Sequence, residues 1–471
     1  MAFYSHFRKI TVEPVLFSYM MCLFMSYPLI QQLAFKKICH EKYNGEICKN
    51  LTKSQEIYVQ QKTSKWILYQ SVALTLPSIF ASLLLGSWSD KVGRKVILIL
   101  PSVGSVLLYI NYIMNAAFFS LNVNYIIIGV SISALFGGFA TTLLGVFSYI
   151  SDITDKSQRT TRVAVLESMI FLGGTAGNLV GGVLVEHHGF MPAFGLCLAL
   201  NVLIILYVSL VLPESYYPQQ DQEGNWALLA VHNHLKASIA VLTKTRPKHQ
   251  RLNLLVILFG ILSFTLIIFG GFNDITALYC KRSPRNFSPA LIGYFFAEVL
   301  FMKGIGVVLV IPLLNKIPEW TDLTIAITGA IVSIGFYIFL AFASNKWMMF
   351  VGGLIAVGSS ILPPCMRSKL SKQVEPSELG TMFALTASLE VLETLLASVI
   401  FNNIYSATVD WMPGFCYLLM SAIILIPIFL MIWLYILQRR DDAYSAMDAV
   451  GILSSSEHSV NYGSPSEDPQ A

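Results

Sequence analysis

The chain has 471 residues, 55% of them apolar and only 12% charged, with a net charge of +4 and a mean hydropathy of +0.64. Soluble domains carry about 25% charged residues, so the composition excludes a soluble globular enzyme, and so small a net charge implies no nucleic-acid partner. It is the composition of an integral membrane protein, with lipid as the surrounding medium.

Twelve apolar stretches follow one another: 14–35, 66–88, 96–117, 124–149, 163–185, 190–212, 253–279, 290–314, 322–343, 347–366, 380–404 and 413–437. Each has about the 20 residues that cross a hydrocarbon core as a helix, and helices are required because lipid offers open backbone groups no partner. The first is too long for a signal-peptide core and lacks a small-residue cleavage site, so it is expected to remain as a helix. Spans one to six make an N-terminal half, 1–212, and spans seven to twelve a C-terminal half, 253–437. A polar cytoplasmic linker, 213–252, separates them, and within it Trp226 to Leu242 could form a helix along the membrane. The Ser-, Asp- and Glu-rich tail, 438–471, is expected to be disordered. Six plus six around a linker is the layout of transporters built from repeated halves.

An even number of spans puts both termini on one side. The short loops on that side carry Lys91, Arg94 and Lys95, then Lys156, Arg159 and Arg162, then Arg367, Lys369 and Lys372. The short loops opposite carry Lys281, Arg282, Arg285 and Lys346. Short-loop basic residues set orientation, so both termini are expected in the cytoplasm. Two glycosylation sequons, at Asn50 and Asn286, both fall in expected non-cytoplasmic loops. Cys39, Cys48 and Cys280 face that oxidising side as well. One disulfide among them is expected: Cys48–Cys280 would tie the two halves together, Cys39–Cys48 is the alternative, and the sequence does not choose.

Seven ionisable residues lie inside the spans or at their ends: Asp152, Glu167, Asp274, Glu298, Lys303, Glu390 and Glu393. A charge at the bilayer centre costs roughly 2.5–3.5 kcal/mol on insertion scales, so residues kept there are expected to line a polar path. All fall in spans four, five, seven, eight and eleven; apart from Asp322 at the first residue of span nine, spans three, six, nine and twelve carry none. Glu390 and Glu393 are i,i+3 neighbours on one helix face, and two close carboxylates in low dielectric do not both ionise comfortably, which makes them a candidate proton site. Glu298 and Lys303 lie about 140° apart around a helix and should not pair, so Lys303 is expected to reach a carboxylate on span eleven or five. Arg367, ending span ten, is a candidate anion-binding group. No metal-ligand cluster, nucleotide loop or nucleophile arrangement points to an enzyme, and no cofactor is implied beyond protons as the coupling ion.

The loop between spans two and three reads Gly86-Ser-Trp-Ser-Asp90-Lys-Val-Gly93-Arg94-Lys95. It resembles the gating signature of the major facilitator superfamily, in which Asp90 would accept hydrogen bonds from a helix N-terminus and from arginines. Gly173–Gly182 resembles the superfamily's antiporter pattern with Asn178 in place of proline, or it serves close helix packing. Leu212-Pro213-Glu214-Ser215, ending span six, is another common feature of that superfamily. The resemblance implies an all-α major facilitator fold with spans 1, 4, 7 and 10 around a cavity, 2, 5, 8 and 11 at the interface of the halves, and the charge-free spans outside.

More closely, the chain is similar to the proton-coupled folate transporter family, solute carrier family 46. The similar stretches include Val12-Glu13-Pro14, Ser151-Asp152, Ala164-Val165-Leu166-Glu167, Ile292-Gly293-Tyr294, Arg367–Lys372 and Phe401-Asn402-Asn403-Ile404-Tyr405-Ser406-Ala407-Thr408. The resemblance implies transport roles for Asp152, Glu167 and Arg367, with Glu167 in proton coupling and Arg367 in coupling and substrate binding. Phe269 stands where the folate transporter has a span-seven histidine, and Glu390 resembles the family's lysosomal member instead. The folate transporter's second disulfide cysteine corresponds to Asn286, with Cys280 displaced by six residues.

These readings describe a proton-coupled symporter carrying a small organic anion toward the cytoplasm. Glu167, Glu390, Glu393 and Asp152 would couple protons; Arg367, Phe269, Lys303, Glu298, Tyr294 and Asp274 would line the substrate path. The alternatives are a facilitator or exporter of steroid conjugates or peptidoglycan fragments from lysosomes, and a non-transporting ligand receptor. In the tail, Tyr444-Ser-Ala-Met447 and the Ile452-Leu453 pair after Asp448 have the form of sorting signals read by adaptor proteins. Together with the match of Glu390 they favour the lysosomal membrane over the plasma membrane.

Overall fold

A computed structural model describes residues 11–43, 45–154, 156–215, 236, 240–244, 250–318, 320–375 and 378–459. Twelve helical segments account for most of them: α1 Glu13–Lys42, α2 Lys53–Val92, α3 Arg94–Ala117, α4 Tyr125–Ile153, α5 Lys156–His188 and α6 Phe190–Leu210 in the first half. The second half has α7 Gln250–Lys281, α8 Pro289–Leu314, α9 Asp322–Phe342, α10 Lys346–Gln373, α11 Leu379–Thr408 and α12 Phe415–Ser459. Among the described residues eleven segments are long and apolar enough to cross a membrane, and the expected second span, 66–88, lies inside the 40-residue α2.

Local chemistry sets the helix ends. Ser288, Thr321 and Asn345 begin α8, α9 and α10, each accepting from the backbone N–H three residues on, the preferred way to satisfy orphan donors. α4 breaks at Gly137, whose φ of +85° suits glycine. α7 and α8 each contain a π-helical stretch, Leu266–Phe272 and Gly306–Val310, a distortion frequent near functional sites. α12 runs on to Ser459, so residues 438–459, expected as part of a disordered tail, are helical; 460–471 lie outside the described residues.

The glycine run of α5 decides how the halves meet. A Cβ at Gly173 or Gly177 would meet the carbonyl oxygens of Phe17 at 2.5 Å or Met21 at 2.1 Å on α1. On the other face, a Cβ at Gly182 would meet Pro289 O at 2.9 Å and the Gly293 Cα at 3.0 Å on α8. Close packing is therefore what this motif does here: small residues let α5 press against its own half and the other half at once. Behind this seam the largest apolar core is centred on Phe272, whose ring lies 5.8–6.4 Å from those of Phe296, Phe336 and Tyr337.

The disulfide is Cys39–Cys48, inside the first half, and Cys280 is a free, buried thiol. The expected alternative Cys48–Cys280 tie does not form, because Cys39, at the end of α1, lies beside the short Ile47–Lys49 helix and takes Cys48. Asn50 and Asn286 are both exposed.

Candidate transport site

Arg367, in the last turns of α10, pairs through Nη2 with Glu390 Oε1 on α11. One turn further, Glu393 is 8% exposed and accepts from the Thr265 hydroxyl of α7, immediately before the π-helical stretch. Its second oxygen, Oε2, is buried with no partner among the described residues. Glu167 of α5 is exposed and lies within electrostatic range of Arg367, as do Glu390 and Arg367 for Glu393. Counted from Lys156 and Leu379, Glu167 and Glu390 stand at the same depth, roughly 16 Å along their helices from the face that carries the termini. One guanidinium and two carboxylates from both halves thus meet at one level, with Glu393 a turn beyond. Arg367 keeps 41% of its side chain exposed while Glu390 keeps 19%, so the cation is the accessible partner.

Asp274 is different. It is 1% exposed and accepts from the Tyr27 hydroxyl of α1, from Ser398 Oγ at 2.5 Å and from Asn402 Nδ2 at 2.6 Å on α11. Ser64 Oγ of α2 donates to Asn402 Oδ1 at 3.1 Å, and Gln31 Nε2 to the Asn273 carbonyl at 3.1 Å. Nearer the face opposite the termini, Gln60 Nε2 donates to Leu278 O at 3.1 Å, Gln61 Nε2 to Ser406 O at 2.9 Å, and Glu186 accepts from Ala290 N at 2.8 Å. Asp274 is thus the centre of a polar joint that closes the two halves on that side. It is not free to line a path in this conformation.

Lys303 and Glu298 stand apart from each other, as their spacing requires. Lys303 is 5% exposed, with Nζ 4.9 Å from the Phe272 ring centre, a cation–π contact. It forms no ion pair among the described residues, contrary to the expectation of a carboxylate on α11 or α5; on α11, Glu390 pairs with Arg367 and Glu393 accepts from Thr265. Glu298 turns toward α10, where a Cβ on Gly353 would meet Oε2 at 2.6 Å, and that oxygen is buried without a partner among the described residues. Tyr294 is 41% exposed. Phe269 lies in the π-helical stretch, its side chain outside the described set.

At the face of the termini, Gly93 has φ +110° and a Cβ there would meet Glu214 Oε2 at 2.7 Å. Glu214 accepts from the backbone N–H groups of Arg94 at 2.7 Å and Lys95 at 3.2 Å, placing a carboxylate on the N-terminus of α3, where the helix dipole favours it. Arg94 Nε pairs with Asp152 Oδ2 at 3.1 Å, and Ser215 Oγ donates to the same oxygen at 3.2 Å. Asp152 therefore belongs to the loop motif and not to the Glu167 level, and Glu214 holds the N-terminus of α3. Gly86 and Asp90 lie in the last turns of α2, with the side chain of Asp90 outside the described set. Arg162 with Glu13 at 2.6 Å and Lys372 with Asp322 at 2.6 Å are further pairs on this face, each within one half. From the linker, Lys244 Nζ reaches Glu375 at 2.9 Å and Glu378 at 2.7 Å, and those two acids, Glu375 first, hold its pKa above the ordinary lysine value. Most of the expected linker helix, Trp226 to Leu242, lies outside the described residues, as do the side chains of Tyr444, Met447, Ile452 and Leu453.

Tyr27, Thr265 and Ser398 carried no signal as single residues, since hydroxyls in spans are ordinary, and Glu214 lay in a motif noted only as a common feature of the superfamily. Asn402 lay within a stretch noted only for its resemblance.

The sequence profile of the Major Facilitator Superfamily matches residues 14–398. The chain is 33% identical to the lysosomal proton-coupled steroid conjugate and bile acid symporter SLC46A3 of Gallus gallus, over 91% of this chain and 94% of that protein. It is 31% identical to the proton-coupled folate transporter of Rattus norvegicus, over 88% and 90%. Among solved structures it resembles the human organic anion transporter MFSD10, with a TM-score of 0.59 at 17% identity over 89% of this chain and 98% of that one. It also resembles the peptide transporter PepTSo, with 0.61 at 14% identity over 90% and 97%; at such identities both show the fold alone. The chain belongs to the Major Facilitator Superfamily and, within it, to solute carrier family 46.

Proposed function

We propose that this protein is a proton-coupled symporter that carries a small organic anion across the membrane toward the face bearing its termini, which we assign to the cytoplasm. The observation that carries this reading is the Arg367–Glu390 pair, with Glu393 and Glu167 in electrostatic range. Arg367 cannot lose its charge, and its planar fork fits a carboxylate. While Glu390 is ionised it occupies that fork. A proton on Glu390 releases the guanidinium to an incoming anion, and departure of the proton restores the internal pair and expels the anion. Proton and anion therefore move together because they exchange places on one arginine. Glu167, on the other half, takes part in the same balance of charge, so its protonation state governs how the halves rock.

The proton-coupled names of the relatives agree with this mechanism, and folate and bile acids are both organic acids. The lysosomal names among the relatives favour a lysosomal membrane over the plasma membrane, with the tail segments around Tyr444 and Leu453 as docking sites for sorting adaptors. Uptake of folate, a bile acid and a steroid sulfate by proteoliposomes containing the purified protein tests the substrate class. Accumulation of at least one of them with acid on the side opposite the termini is expected; accumulation of none contradicts the reading.

A further inference from the structure

The end of α7 and the loop behind it hold two buried guanidinium groups, far from the transport site. From Thr265 to Arg282 is roughly 25 Å along the helix. Arg282 and Arg285 are each 4% exposed. Arg285 is fixed on three sides: Nε donates to Tyr279 O at 2.7 Å, Nη1 donates to Ala343 O at 3.0 Å, and the group lies 3.5 Å from the Tyr279 ring centre. Its Nη2 is buried without an acceptor among the described residues. Arg282 is more extreme. Its Nη1 is buried without an acceptor, and among the described residues nothing accepts from any nitrogen of its side chain.

Neither arginine forms an ion pair with a described carboxylate. Glu56, the acid that reaches this loop, accepts from the Ser283 backbone N–H at 3.2 Å instead, and Asp410 is exposed. Both guanidinium groups lie within electrostatic range of the fully buried Tyr405 of α11, so they converge on one region between α7, α11 and the loop before α10. A buried charge is strongly unfavourable unless it is paired and hydrogen-bonded. Arginine has no neutral form to escape into. Two such groups in one region, with donors left over, call for a negative partner, and no described residue supplies one.

We propose that Arg282 and Arg285 form a binding site for a small monovalent anion on the face opposite the termini, separate from Arg367. The leftover donors, Arg282 Nη1 and Arg285 Nη2, take the ion, while Tyr279 O and Ala343 O hold Arg285 in place. The ligand is either a halide ion or the carboxylate of an organic solute. Since Gln60 of the other half bonds both Leu278 O and the Tyr405 hydroxyl, an occupied site stiffens the ground on which the closed joint rests.

The test is thermal unfolding of the full-length protein in detergent, with isethionate, a monovalent anion that is neither halide nor carboxylate, as the reference and chloride or acetate replacing it at constant ionic strength. Wild-type protein is expected to gain several degrees in chloride, in acetate or in both, as binding to the native state requires. A gain in chloride identifies a halide site; a gain in acetate alone identifies a carboxylate site. Arg282→Gln, which breaks no hydrogen bond to a described residue, should melt at one temperature in all three salts, and Arg282→Lys should keep part of the gain. A wild-type protein that melts identically in isethionate, chloride and acetate overturns the proposal. So does an Arg282→Gln protein that keeps the full wild-type gain.

Discussion

Arg367 on α10 is held by Glu390 on α11 at the same level at which Glu167 enters from the other half. That arrangement gives one cation two competing uses, an internal carboxylate and an external one, and the choice between them is a matter of protons.

Arg367→Ala should therefore weaken the anion and leave the fold intact. Hydrogen bonds to a charged group contribute about 1.5–3 kcal/mol, which is roughly 10- to 100-fold in KM. Uptake measured against concentration, at matched protein levels, checks this. An unchanged KM would reduce Arg367 to a residue at a helix end.

Asp274 should behave in the opposite way, as a structural joint. Asp274→Ala leaves the Tyr27 hydroxyl and Ser398 Oγ without the acceptor they share and takes one of the acceptors of Asn402 Nδ2, and each unsatisfied buried donor costs about 1–3 kcal/mol. The purified variant should melt several degrees below wild type, while Glu390→Gln should melt close to it. Equal melting temperatures for Asp274→Ala and wild type would show that the joint adds no stability.

Gly177→Leu should prevent assembly of the first half, since even a Cβ there meets Met21 O at 2.1 Å and backbone cannot move aside as a side-chain tip can. Gly195→Ala, with nothing within 4 Å of the added carbon, is the control. Size-exclusion profiles of the two variants should differ sharply, with a monodisperse peak only for Gly195→Ala. A monodisperse Gly177→Leu protein would mean that α1 and α5 are not in contact as described.

The span pattern was legible because lipid leaves the backbone no choice but helix, and because charges confined to five spans mark which helices meet. The pairing of those charges was not. Spacing along one helix placed Glu390 and Glu393 on a common face, yet it could not show that Arg367 and Thr265 arrive from α10 and α7 to divide them. Asp152 carried the same difficulty: its partner Arg94 lies far off in the sequence, at the start of α3, and only the three-dimensional fold separates it from Glu167. Cys48 could have taken either of two cysteines, and the short helix at Ile47–Lys49 brought it to Cys39.

In cells, wild-type protein carrying a fluorescent tag should reside on acidic vesicles, and Tyr444→Ala combined with Leu453→Ala should move it toward the cell surface. Surface biotinylation gives the fraction. A wild-type protein already at the surface, or one whose vesicles ignore both changes, would contradict the sorting role of the tail.

The central claim is that proton and anion exchange places on Arg367. It is tested most directly by anion accumulation in proteoliposomes with an imposed acid gradient, with and without a protonophore, for wild type, Glu167→Gln and Glu390→Gln. Wild type should accumulate the anion only while the gradient lasts. Both variants should lose the dependence on pH, Glu390→Gln because its uncharged amide leaves the guanidinium free at every pH. Uptake by wild type that survives collapse of the gradient, or variants that keep the wild-type pH profile, would contradict the account.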